Sequence, residues 1–73
     1  MSDKMFKEFM KELIEYLRSN DMELFSYLDN CFRTDKCDND VIAGAFDQAY
    51  MHWLFFRDIK ASAKIIRGEV LNG

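Results

Sequence analysis

Apolar residues at Met5, Phe6, Phe9, Met10, Leu13, Ile14, Tyr16 and Leu17 recur at spacings of three and four, with charged and polar residues between them. That is the period of a helix with one covered face, and it predicts a first helix over about residues 3–19. Asn20 stands three residues before Glu23, a spacing suited to a capping box, and Asp21 adds negative charge to the turn that follows. A second, shorter helix is therefore expected over 21–33. Its apolar set is Leu24, Phe25, Leu28, Cys31 and Phe32, with Met22 and Tyr27 at the margins. The polar, aperiodic stretch Thr34-Asp35-Lys36-Cys37-Asp38-Asn39-Asp40 reads as the main loop, because Asx residues end one helix and cap the next.

The remaining chain reads as one long helix over 40–67, with Gly68 placed to end it in a left-handed conformation. Counting in sevens sets Ile42, Ala49, Phe56, Ala63 and Val70 at one seam position and Ala45, His52, Ile59 and Ile66 at the other. This is a heptad pattern with one polar member, His52. The fold class expected is thus all-α, a small three-helix bundle with a long C-terminal helix.

Within that helix, residues 50–56 read Tyr-Met-His-Trp-Leu-Phe-Phe, and the chain contains no proline. A helix that is apolar on all sides must be covered on all sides. The first two helices can cover the side bearing Phe46, Tyr50, Trp53 and Leu54. The side bearing His52, Phe55, Phe56 and Ile59 then continues the seam and is expected to meet another protein or a second copy of the chain, with His52, Phe55, Phe56, Ile59, Ala63 and Ile66 as the contact set. Small residues flank the run, Ala43, Gly44 and Ala45 before it and Ala61, Ser62 and Ala63 after it, which is compatible with two copies crossing antiparallel near Trp53, although Gly44 alone reads as a close-packing site for a neighbouring helix of the same chain.

Composition narrows the class further. Seventy-three residues make one domain, 1–73, near the lower limit at which a core sustains itself, so self-association would enlarge a marginal interior. With 49% hydrophobic and 15% aromatic residues, the chain is too apolar to be disordered. No uncharged apolar stretch has the length of a membrane span, and the first residues alternate charge with apolar side chains unlike a signal peptide, so a soluble cytoplasmic protein is expected, with no membrane role. Cys31 and Cys37 match no zinc spacing and read as reduced thiols, one on an apolar face and one in the loop. The loop lacks the glycine and the closing glutamate of a calcium site. Neither a metal nor another cofactor is expected.

The net charge of -3 is uneven: residues 20–47 carry two bases and seven acids, whereas residues 57–73 carry four bases and two acids. Arg57, Lys60, Lys64 and Arg67 form a stripe at spacings of three, four and three, the pattern of an anion or nucleic-acid contact and equally that of a solvated helix end. The acidic total favours the second use. No phosphate loop, nucleophile elbow or histidine pair is present, and no enzyme is expected. The reading that remains is a small non-catalytic protein–protein interaction module, an adaptor, inhibitor or regulator that self-associates through its C-terminal helix as a homodimer, in the format of bacterial or phage accessory proteins. The alternative is a DNA-binding or nucleoid-associated regulator that uses the basic end of the third helix.

Overall fold

The periodic first segment folds as its spacing predicts. In the computed structural model, which describes residues 3–34, 37 and 39–71, α1 spans Asp3–Asn20 and buries Phe9, Leu13 and Leu17. These three lie four residues apart and share one face. The chain enters α2 (Met22–Thr34) through a single residue, Asp21, whose carboxylate accepts from the Leu24 backbone N–H at 3.2 Å. Asp21, and not the predicted Asn20, is therefore the N-cap. Asn20 instead closes α1, its side-chain amide donating to the Tyr16 carbonyl at 3.0 Å. The inward face of α2 is Leu24, Leu28 and Cys31, while Phe32, expected in the core, is exposed.

Cys31 is bonded to Cys37, which ties the end of α2 to the segment before α3 (Asn39–Phe56). This overturns the expectation of two free thiols. A cysteine facing inward near the end of one helix and another just beyond it bring their Cα atoms to 5.4 Å, within disulfide reach. Asp35, Lys36 and Asp38 of the predicted loop lie outside the described residues.

The main correction is at residues 57 and 58, where the expected long helix ends and a fourth begins, α4 (Ile59–Val70). Arg57 adopts a left-handed backbone, φ 54°, and its N–H returns to the Trp53 carbonyl at 2.7 Å, so it holds the position that glycine usually holds at a helix end. Asp58 then caps α4, its carboxylate accepting from the Ala61 N–H at 3.1 Å. A left-handed residue with a Cβ costs about 1–2 kcal/mol. The guanidinium of Arg57 offsets part of that cost by lying 4.4 Å from the centre of the Trp53 ring. Gly68, by contrast, ends nothing. It lies inside α4 without a left-handed backbone, and the helix closes later, where the Leu71 N–H reaches the Arg67 carbonyl.

The break lets α4 pack against α3, the most extensive helix–helix contact in the chain. Small buried residues, Ala45 and Ala49 on α3 and Ser62 and Ala63 on α4, allow the two backbones to approach. Ser62 keeps its hydroxyl satisfied by donating to the Asp58 carbonyl at 3.0 Å. The α1 helix touches each of the other three, so Phe9, Leu13 and Leu17 sit at the centre of the shared interior. Among the described residues the chain is all-helical, and no helix is long and apolar enough to cross a membrane.

Candidate functional site

The run at 50–56 divides between two environments. Tyr50 and Trp53 turn inward, toward α1. The Phe9 ring lies 5.4 Å from Tyr50 and 5.5 Å from Trp53, and Phe6 meets Tyr50 edge-on at 5.2 Å. Trp53 is buried, and its indole N–H donates to Glu12 at 2.8 Å. Glu12 lies on the charged, exposed face of α1. Only the finished packing shows that one carboxylate of that face is held by the core tryptophan.

The other environment is solvent. Phe55 and Phe56, in the last turn of α3, are 74% and 68% exposed, and Met51, one turn earlier, is 53% exposed. Half-buried His52 lies 4.6 Å from the Phe56 ring, and the two phenylalanine rings are 6.5 Å apart. The backbone turn at Arg57 produces this arrangement. Because α3 stops at Phe56, no further turn of the same helix follows to shield the two rings.

Of the six residues predicted as a contact surface, His52, Phe55 and Phe56 stand together at this end. The other three do not join them. Ile59 is half-buried against the core, and Ala63 and Ile66 are fully inside it. Their placement on a continuing seam assumed an unbroken helix. Once α4 turns at residue 58, the same two positions are covered by the chain itself.

The predicted basic stripe is likewise divided. Arg57 lies over Trp53, and Arg67 donates both to the Asp21 carboxylate, at 2.9 Å to each oxygen, and to Glu23. Glu23 first and Asp21 second hold the Arg67 guanidinium above its ordinary pKa. A cation raised in this way contributes stability that is lost as pH climbs through and beyond the ordinary arginine range, far above neutrality. Lys60 and Lys64 remain as exposed bases.

Two further features were not singled out from the sequence. One is an apolar hollow of about 240 Å³ between α1 and α2, floored by Leu13, Leu17 and Leu28, with Phe32 and Phe46 stacked at 6.2 Å along its wall. The signal for it was the doubled apolar edge of each helix, Met10 with Ile14 and Phe25 with Phe32, which one covered face does not require. The other is the outward face of α3, where Val41, Gly44, Gln48, Met51 and Phe55 follow one another at spacings of three, four, three and four. That period was legible, but the stronger seam through Ile42, Ala45 and Ala49 obscured it. Gly44 is not the close-packing site it was expected to be, since a Cβ there would have nothing within 4 Å.

Comparison with models of known protein families, with curated proteins and with solved structures found no match to this chain.

Proposed function

We propose that the chain is a non-catalytic protein–protein interaction module, an adaptor, inhibitor or regulator, that engages its partner through the aromatic end of α3. The observation that carries this reading is the pair of adjacent rings, Phe55 and Phe56, exposed together in one helical turn beside His52 and Met51. Covering one such ring is worth about 1.5–3 kcal/mol, and large rings at the centre of a contact are the usual energetic anchors of an interface. Lys60, exposed just beyond the turn, gives that anchor a basic edge, suited to a partner with an acidic group beside an apolar socket.

The cytoplasmic setting belongs to this proposal with one condition attached. In reducing surroundings Cys31 and Cys37 would stand as a dithiol, whereas the bonded form persists where the environment is oxidising.

The test is capture of binding partners from the native host with wild type beside a Phe55→Asp, Phe56→Asp double variant. Circular dichroism first establishes that both are equally helical. Loss of the captured partners from the folded double variant is the expected result. An unchanged partner set, with unchanged oligomeric state, would remove the aromatic end from consideration.

A further inference from the structure

Glycine within a helix costs about 0.5–1 kcal/mol relative to alanine unless the backbone or a close neighbour requires it, and Gly68 of α4 carries that cost with neither. Gly44 meets neither condition inside this molecule. It has no left-handed backbone, and a Cβ there would stand in open space. What Gly44 does have is a place on the outward stripe of α3, together with Val41, Gln48, Met51 and Phe55. Val41 is 42% exposed, so the stripe is apolar and open at both ends.

We infer that this stripe is the contact between two copies of the chain, with their α3 helices antiparallel and Phe55 of each copy seated on Gly44 of the other. The inference rests on the aromatic end of α3 being an interaction surface and names its occupant. Gly44 and Phe55 are equidistant from the midpoint between Gln48 and Met51. A second α3 laid in reverse therefore sets both rings on both bare backbone positions at once, with Met51 against Gln48 in the middle. The spacing of three, four, three and four is that of a helix-pair seam, and one polar member of such a seam, here Gln48, fixes register at some cost in stability.

Size and charge both fit this occupant. A bare aromatic side chain presents about 150–250 Å², so Phe55 with its neighbours on two copies would remove on the order of 1,000 Å² from water, at the lower bound for a specific interface. The pairing is accordingly weak and concentration-dependent. The α3 helix has Asp40 in its first turn and no base in its last, while the exposed Lys60 lies just past its end. Reversal places the acidic start of one copy beside the basic end of the other, and antiparallel alignment also opposes the two helix dipoles favourably.

Sedimentation equilibrium of the full chain from about 10 μM to 1 mM tests this, using wild type, Phe55→Asp and Gly44→Glu. Wild type should dimerise within that range, and each variant should raise the dissociation constant by roughly tenfold or more. Gly44→Glu is the discriminating variant. It lies about 16 Å along the helix from Phe55, so a contact confined to the aromatic end would not register it. A Cβ at position 44 meets nothing within 4 Å in the monomer, and unchanged helicity by circular dichroism certifies the fold. A wild type that stays monomeric to 1 mM overturns the inference. So does a dimer that Phe55→Asp breaks and Gly44→Glu does not, although in that case the aromatic end remains an interaction surface. A dimer indifferent to both variants removes both readings.

Discussion

Both sides of α3 carry large apolar side chains, and the two are treated differently by the fold. On the inner side, Trp53 is enclosed by Phe9 and Tyr50, hydrogen-bonded to Glu12 and covered by the Arg57 guanidinium. On the outer side, Met51 and Phe55 have no such enclosure. The difference shows that aromatic content alone does not define a core. What separates the two sides is whether another helix stands opposite, and the turn at Arg57 decides that for the last residues of α3. The inner side is a matter of folding and the outer side, as proposed, a matter of association, so substitutions on the two should separate cleanly in their effects.

The largest separation is expected from truncation of the rings themselves. Trp53→Ala should lower unfolding stability by about 3–5 kcal/mol in a urea titration, whereas Phe55→Ala, measured on dilute monomer, should change it by less than about 0.5 kcal/mol. Equal losses at the two positions would erase the distinction between the faces. Reduction of the Cys31–Cys37 bond comes next. Freeing the short loop that it closes should cost about 2 kcal/mol, seen as a lower urea midpoint in dithiothreitol with helicity retained. The bond joins α2, which carries Phe32, to the segment leading into α3, which carries Phe46, so reduction also sharpens the comparison, since it should loosen the wall of the hollow while leaving Phe55 unaffected.

A smaller effect is expected at the turn that creates the two environments. Arg57→Ala keeps the left-handed strain and loses the contact with Trp53, whereas Arg57→Gly loses the contact and the strain together. Thermal unfolding should therefore find the glycine variant more stable than the alanine variant by about 1 kcal/mol. If alanine proved the better tolerated, the left-handed turn would not be the strained element taken here to end α3. The smallest effect belongs to Asp58→Ala, which removes the side-chain cap of α4 and should cost close to 1 kcal/mol or less at this exposed position.

Much of the fold was legible in the sequence, and the reasons for the remainder are specific. Phe9, Leu13 and Leu17, Leu24 and Leu28, and Ile42, Ala45 and Ala49 were recoverable because spacing alone sets them on one face of each helix. The break at 57–58 was not, because neither glycine nor proline marks it. An arginine in a left-handed conformation is supported there by a tertiary contact with Trp53, which no local pattern displays. That single omission misplaced Ala63 and Ile66, since a seam projected through a turn no longer points outward. Within the surface argued from the structure, His52, Phe55 and Phe56 followed from their bulk. Gly44 was misread because a glycine in a helix has two possible neighbours, one in the chain and one outside it, and only coordinates show that the first is absent.

The most direct measurement of the division between the faces is urea unfolding followed by fluorescence of Trp53, on wild type and Phe55→Asp, at a low and a high protein concentration. Association through the outer face stabilises only the folded pair, so the wild-type midpoint should rise with concentration. The Phe55→Asp midpoint should match wild type at low concentration and stay there at high concentration. A wild-type midpoint that does not move with concentration, or a Phe55→Asp chain already unfolded when dilute, would contradict an outer face built for association and separate from the core.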